Sequence, residues 1–193
     1  GGIFDWLSKR EGKSYRLPTE AEPILLRATK ARKFPFSLEG KSYRLPTEAE
    51  WEFASLCGAK QNWFWGNNEV HTPRCANVAD LEFQKVFGKV KSSISSSDGY
   101  VFTAPVGSFI HSRLGMYDMH GNVQEWCSDW FDPVYYSAAP EENPTGPTTG
   151  TKRVQRGGSF ASPHYDTSCN RRYEEKPDVM SSSSGFRVVL HEE

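Results

Sequence analysis

The clearest helical pattern of apolar and polar positions follows Thr47. In Thr47-Glu48-Ala49-Glu50 the Thr47 hydroxyl can accept a hydrogen bond from the backbone N–H of Glu50, while the Glu50 carboxylate returns to the N–H of Thr47. Trp51 and the apolar residues after it continue the pattern as far as Gly58, a residue that often ends helices. The sequence therefore predicts a helix between Thr47 and Gly58.

An internal repeat precedes this helix. Residues 12–22 recur without change as residues 40–50, which indicates a local duplication. In the first copy Pro23 weakens the first helical turn, so we expect the second copy to be the one that belongs to the folded domain. Apolar positions at Ile3, Phe4 and Leu7 predict a short amphipathic helix ahead of the first copy. We expect residues 1–39 to form an N-terminal extension and residues 40–193 to form the domain.

After Gly58 the helical pattern disappears, and short aromatic and β-branched runs alternate with Gly, Pro, Ser and Asn. Strands are predicted at residues 101–103, 154–160 and 185–190. The pattern is typical of a loop-rich α+β fold with short strands and two main helices, the one near the N-terminus and the one after Thr47.

Composition narrows the possible functions. Val, Leu, Ile and Phe make up only 38 of the 193 residues, but 13% aromatic residues argue against disorder. A net charge of -1 gives no positive field for phosphate backbones, so we expect no nucleic-acid partner. No apolar run is long enough to span a bilayer, and the first residues lack the basic and apolar regions of a secretory signal.

The four cysteines are Cys57, Cys75, Cys127 and Cys169. None forms a C-x-x-C pair, which excludes a zinc ribbon and a thioredoxin motif. Free thiols and long-range disulfides both stay open.

Asp118 and Glu125 offer hard carboxylate oxygens seven residues apart, with Gly121 between them to let the backbone turn. These are ingredients of a calcium site. The same two residues would equally suit the capping of a turn and a short helix.

Three blocks together resemble the sulfatase-modifying-factor family, which includes the formylglycine-generating enzymes. The blocks are residues 43–54 (YRLPTEAEWEFA), 114–126 (LGMYDMHGNVQEW), and 156–160 (RGGSF) with 185–189 (GFRVV). The resemblance implies a C-type-lectin-like α+β domain of the formylglycine-generating-enzyme type.

The resemblance also implies two structural calcium ions. One would be held by Asp118, Gly121, Val123 and Glu125. The other would be held by Asn77, Val78, Asp98 and Tyr100. In both sets side-chain oxygens are combined with backbone carbonyls.

Formylglycine-generating enzymes carry a C-x4-C pair that binds copper(I), for which two soft thiolates are suitable ligands. Counting back from Pro177-Asp178, the second cysteine corresponds to Cys169 and the first to His164. Because this pair is incomplete, we expect neither copper nor catalysis. The alternative is a copper- or iron-dependent oxidase of the same family, in which Cys169 would be catalytic.

The region between the last two blocks is most similar to the C-terminal part of variable proteins of diversity-generating retroelements. It is rich in the Tyr, Ser, Asn and Arg residues that binding loops favour. We name its candidate ligand-contacting residues the display surface. They are Ala161, Ser162, Pro163, His164, Tyr165, Asp166, Asn170, Arg171, Tyr173, Glu174, Val179, Met180, Ser181, Ser182, Ser183 and Ser184.

The predicted function is therefore non-catalytic binding of a protein or cell-surface ligand, outside the cytoplasm. A glycan-binding lectin is a third hypothesis. It would need calcium with open coordination positions at the surface, whereas the two predicted ions lie within loops.

Overall fold

The computed structural model describes residues 36–38, 41–56, 60–88, 91 and 94–191. The predicted N-terminal helix and the first copy of the repeat lie outside these residues. Within the part that is described, no helix is both long and apolar enough to cross a membrane.

Short elements separated by long loops make up the described structure. The strands are β1 (Phe36–Leu38), β2 (Lys41–Arg44), β3 (Gln124–Trp130), β4 (Arg153–Arg156), β5 (Tyr173–Glu175), β6 (Ser184–Gly185) and β7 (Val189–His191). The α-helices are α1 (Glu48–Leu56), α2 (Thr72–Cys75) and α3 (Leu81–Phe87), and three 3-10 helices occupy Glu69–His71, Tyr135–Ser137 and His164–Thr167. This mixture of helices and small sheets agrees with the predicted loop-rich α+β fold.

The strands form two sheets. One has the order β1-β2-β7, and both of its pairings are antiparallel. The other has the order β5-β4-β3-β6, in which only the pairing of β3 with β6 is parallel. The strands β5 and β6 are therefore the two edges of the four-stranded sheet.

Helix α1 confirms the predicted capping box. The backbone N–H of Glu50 donates to Thr47 Oγ1 at 3.2 Å, and the N–H of Thr47 donates to Glu50 Oε2 at 2.8 Å. Arg44 holds the Glu50 carboxylate from the other side with two hydrogen bonds of 2.6 Å. The hydrogen bonds to Arg44 lower the pKa of Glu50, so its carboxylate stays ionised as the cap requires.

The expectation that no helix follows Gly58 was wrong. Asp80 caps α3 by accepting the backbone N–H groups of Glu82 and Phe83 through Oδ1, at 2.8 and 3.0 Å. Gly88 follows the last helical residue with a positive φ of 82°. The helix is short, and Phe83 is its one buried side chain, although Phe83, Val86 and Phe87 have helical spacing.

The strand predicted at residues 101–103 is absent. The backbone there bonds to side chains instead of to a neighbouring strand. Asn77 Nδ2 donates to the carbonyl of Phe102 at 2.8 Å, and the N–H of Ala104 donates to Asn122 Oδ1 at 2.9 Å. Two asparagines therefore satisfy backbone groups that a sheet would otherwise pair.

The core consists of several small clusters rather than one large one. Trp51, Met119, Cys127 and Val154 form the cluster beneath the four-stranded sheet. Cys75, Cys127 and Cys169 are buried free thiols, so no disulfide joins them, and Cys57 lies outside the described residues.

A buried ionic cluster joins α1 to the four-stranded sheet. The carboxylate of Glu48, which is 1% exposed, accepts two hydrogen bonds from Arg172, at 2.7 and 2.8 Å. Arg156 is fully buried, and its Nε lies 3.1 Å from Glu48 Oε1, a charge contact without hydrogen-bond geometry. Arg156 also bonds to Glu52 and donates to the carbonyl of Arg171. One carboxylate thus ties α1 to β4 and to the segment before β5.

Replacing Glu48 by Ala should destabilise the protein by about 3–5 kcal/mol, because Arg172 would lose both hydrogen bonds to the carboxylate and the buried Arg156 would keep only Glu52 as a counter-charge. The free energy of unfolding can be measured by urea titration followed by circular dichroism. Lys85→Ala is the control, since it breaks the exposed pair with Glu82 and should cost less than about 0.5 kcal/mol. Equal losses in the two variants would contradict the assignment of Glu48 as the central residue of the cluster.

Candidate functional site

The display surface is divided between two segments that lie at opposite edges of the four-stranded sheet. Residues 161–171 precede β5, and residues 179–183 lead into β6. Because β4 and β3 lie between those edge strands, the two segments flank a shared sheet face.

Most of the display surface is accessible. Met180 is 86% exposed and Tyr165 is 53% exposed, which makes them the most prominent apolar groups of the set. The exposed members are Ala161, Tyr165, Asn170, Arg171, Glu174, Val179, Met180, Ser181 and Ser182. Pro163, Asp166, Tyr173, Ser183 and Ser184 are half-buried.

Two expected contact residues are instead buried. Ser162 accepts the backbone N–H of Ser159 at 3.0 Å, which closes the turn after β4. The His164 ring stacks on Trp63 with the ring centroids 4.2 Å apart. Burial lowers the pKa of His164. Both side chains support the display surface from below and are not available for contact with a ligand.

The segment of residues 60–71, which was not predicted as part of the site, braces the first part of the display surface. The N–H of Cys169 donates to the carbonyl of Asn62 at 2.8 Å, and Asn170 Nδ2 donates to Asn62 Oδ1 at 2.9 Å. Trp63 Nε1 donates to Thr167 Oγ1 at 3.2 Å. The aromatic run Trp63-Phe64-Trp65 between polar residues was the sequence signal that this loop packs against another part of the fold.

The outer face of the sheet joins the two segments. Burial alternates along β3, so that Glu125, Cys127 and Asp129 face the core while Trp126 is half-exposed. Trp126 lies opposite Gln155, and Gln155 lies opposite Tyr173. Side chains that are opposite one another share a face of the sheet. Gln155 Nε2 also donates to Ser184 Oγ at 3.0 Å, which links the β4 strand to the second segment. The sequence of residues 124–130 has no apolar alternation with period two, because Glu125 and Asp129 are among the residues that face the core.

The positions that correspond to a copper pair have separate surroundings. The thiol of Cys169 donates to the carbonyl of Gln61 at 3.4 Å, whereas His164 stacks on Trp63. Burial, together with the charge of Glu52, raises the pKa of Cys169 to about 11, so the neutral thiol dominates at pH 7. Among the described residues, no three His, Cys, Asp or Glu side chains converge to hold a metal ion.

The predicted calcium set of Asn77, Val78, Asp98 and Tyr100 contains one unpaired oxygen. Asn77 is fully buried, and its Oδ1 has no hydrogen-bond donor, although its Nδ2 is paired. Asp98 accepts the backbone N–H groups of Val78 and Tyr100, both at 2.9 Å. Burial raises the pKa of Asp98 to about 6, and the charges of Asp80 and Glu82 act in the same direction. A buried carboxylate beside two other acids is in the environment that a cation would stabilise.

The other predicted set, which includes Asp118 and Glu125, also contains a carboxylate oxygen without a hydrogen-bond donor. Asp118 accepts the N–H of Gly107 through Oδ2, while its buried Oδ1 has no donor, and burial raises its pKa. Glu125 is already engaged by Arg187, at 2.5 and 2.7 Å, and by Trp51 Nε1 at 2.7 Å. Gly121 is required, since a Cβ there would lie 2.0 Å from the carbonyl oxygen of Asn77. The unpaired oxygens of Asn77 and Asp118 fit a hard cation, and Glu125 would have to share its charge with Arg187.

Comparisons with known families and proteins gave consistent matches. A family described as "Sulfatase-modifying factor enzyme 1-like domain" matches residues 4–192. The formylglycine-generating enzyme of Streptomyces coelicolor is 42% identical over 150 residues, which cover 72% of this chain and 44% of the enzyme. The chain spans less than half the length of that curated relative.

Two solved structures are similar in fold and in sequence. Treponema denticola variable protein 1 matches with a TM-score of 0.63 and 32% identity, over 79% of this chain and 49% of that protein. PvdO from Pseudomonas aeruginosa matches with a TM-score of 0.64 and 26% identity, over 97% of this chain and 56% of that protein. The predicted C-type-lectin-like fold and the likeness to variable proteins are both confirmed. The chain belongs to the sulfatase-modifying-factor family.

Proposed function

We propose that this chain is a non-catalytic binding protein that contacts its ligand through the display surface. The observation that carries the proposal is the similarity to Treponema denticola variable protein 1, together with exposed side chains on a braced support. Tyr165 and Met180 supply apolar contact area. The serines from Ser181 to Ser184 supply adaptable hydrogen bonds, which is the division of labour found in binding loops.

The ligand is a protein or another component of a cell surface, met outside the cytoplasm. Large exposed apolar side chains at 53% and 86% exposure, surrounded by polar ones, are what a protein partner buries. From the sequence resemblance we also propose that the exposed positions vary between copies, as in variable proteins of diversity-generating retroelements. A reverse-transcriptase gene beside a near-copy of the segment encoding residues 156–187 would support this, and its absence would count against it.

The alternative function is a copper- or iron-dependent oxidase of the sulfatase-modifying-factor family. The 42% identity to a formylglycine-generating enzyme favours it. The residues at the copper positions favour binding over oxidation, because His164 is stacked on Trp63 and the Cys169 thiol is protonated at pH 7.

If the display surface is open to variation, its exposed residues should be replaceable without loss of stability. Changing Tyr165→Ser, Met180→Ser and Ser182→Tyr together should shift the melting temperature by less than about 5 °C, since exposed substitutions each cost within about 0.5 kcal/mol. Differential scanning calorimetry measures the shift. Thr167→Val is the matched control on the same 3-10 helix. It removes the hydrogen bonds to Trp63 and to the His164 carbonyl and should cost about 2 kcal/mol.

The binding capacity is tested with a library. A library in which the nine exposed display positions are randomised is displayed on yeast cells. Selection with purified hen egg lysozyme should yield folded clones that bind lysozyme. Reverting the selected positions should abolish binding. A library in which most members fail to fold would contradict the proposal that this surface tolerates diversity.

The two functions are separated by one assay. The purified protein, loaded with copper(I) and supplied with oxygen and a Cys-x-Pro-x-Arg peptide, should leave the peptide cysteine unchanged in mass spectrometry. The formylglycine-generating enzyme of Streptomyces coelicolor serves as the positive control. Conversion of the cysteine to an aldehyde would overturn the non-catalytic proposal, and loss of that conversion in Cys169→Ser would assign it to the family's chemistry.

We also propose that calcium binds at one or both predicted sets and acts as a structural ion. Its residues would be Asn77, Val78, Asp98 and Tyr100 at one set, and Asp118, Gly121, Val123 and Glu125 at the other. The buried unpaired oxygens of Asn77 and Asp118 support this assignment. An ion there would hold loop segments together where the small core clusters do not.

Removal of calcium should lower the melting temperature by several degrees, because an ion bound only by the folded state adds its binding free energy to stability. The measurement is thermal unfolding with excess EDTA and then with calcium restored. Asp118→Asn should reduce the response, whereas Asp132→Asn, at a half-buried carboxylate outside both sets, should respond like the parent protein. A melting temperature unchanged by EDTA would exclude structural calcium.

A further inference from the structure

A cavity of about 270 Å³ lies outside the display surface and outside both predicted calcium sets. It is lined by Phe64, Trp65, His71, Arg74, Cys75 and Ile110. None of these residues is used by the proposed function. The cavity is at the small end of the size range of ligand sites, so its occupant would be a small molecule.

The walls of the cavity are held in place by packing. Trp65 packs against the buried cluster of Ala76, Val78 and Ile94, and its ring lies edge-on to Phe64 with the centroids 4.9 Å apart. The N–H of Ile110 donates to the carbonyl of Arg74 at 2.9 Å, which fixes the loop that carries Ile110. A rigid wall lowers the entropy cost of binding.

The charge of the cavity is positive. Arg74 is exposed, and no carboxylate of the described residues lies within ion-pair distance of it. Glu69, which lies on the same 3-10 helix as His71, does not line the cavity. A guanidinium without a counter-ion is a ready site for an anion with a planar, two-oxygen geometry.

The aromatic rings of Phe64 and Trp65 line the cavity and offer surface to an apolar body.

We infer that this cavity binds a small monocarboxylate that carries an aromatic ring. The carboxylate pairs with Arg74, and the ring packs between Phe64, Trp65 and Ile110. This inference is independent of the display surface, because the two share no residue. It adds a second ligand site, for a metabolite-sized molecule, to a protein whose proposed ligand is macromolecular.

The probe is 4-fluorophenylacetate, followed by fluorine NMR line broadening on titration with the full chain. We expect a dissociation constant on the order of 1 mM, as for a ligand of this size. 4-Fluorobenzylamine has the same ring and the opposite charge, and it should bind at least tenfold more weakly. Arg74→Gln should weaken binding of the acid about tenfold, which is the loss of one charge-assisted hydrogen bond. Arg113→Gln, at an exposed arginine that does not line the cavity, should leave it unchanged.

A second variant tests the location without changing charge. Ile110→Trp should fill the mouth of the cavity, since Ile110 is 44% exposed there, and should abolish broadening while the melting temperature stays within a few degrees of the parent's. The triple display variant should bind the probe like the parent chain, so failure of the display proposal and failure of this one are distinguishable. Equal broadening by the acid and the amine would overturn the inference. No broadening at 10 mM probe, about ten times the expected constant, or full binding by Arg74→Gln would also overturn it.

Discussion

The carboxylate of Glu48 is the contact on which the arrangement of the domain depends. It is buried at the start of α1, where Arg172 donates two hydrogen bonds to it and Arg156 adds a second positive charge. Through those two arginines it fixes both the strand β4 and the segment that enters β5. Buried ion pairs contribute little net stability compared with apolar packing, but an unpaired member is very costly, so they select one geometry over others. In a chain poor in aliphatic residues, that selection holds the long loops in register.

The sequence predicted α1, whose signals are local. The capping box of Thr47 and Glu50 needs only neighbouring residues, and α1 formed where it was expected. The strand expected at residues 101–103 failed because Asn77 and Asn122, distant in sequence, supply the hydrogen bonds of that backbone. Helix α3 was missed although its signals are local: Asp80 caps its first turn, and Phe83, Val86 and Phe87 have helical spacing. Long-range side-chain contacts therefore explain the failed strand but not the missed helix.

The candidate site followed the same division. Resemblance predicted where the display surface lies along the chain, and Tyr165 and Met180 in that region are exposed. What resemblance could not supply was the support: Trp63 beneath His164 and the outer sheet face around Trp126 depend on tertiary contacts. The opposite roles of His164 and Tyr165, adjacent in sequence, arise because a 3-10 turn directs one ring inward and the next outward.

The residues that hold the backbone of the display segments are different from the exposed residues that would contact a ligand. This separation explains how one fold could serve many ligands. The backbone of the display segments is held by groups that need no particular exposed side chain: the carbonyl of Arg171 bonds to Arg156, and the N–H of Cys169 bonds to the carbonyl of Asn62. The exposed side chains at positions 161, 165 and 179–182 therefore have little part in specifying the fold. Under the proposed function, a change there would alter what the surface binds, whereas a change at Glu48 or Arg156 would alter the fold that supports the surface. A fold that separates supporting residues from ligand-contacting residues can therefore have few aliphatic residues and many directed polar contacts. Hydrogen bonds fix the loop backbones without occupying the side chains that would face the ligand.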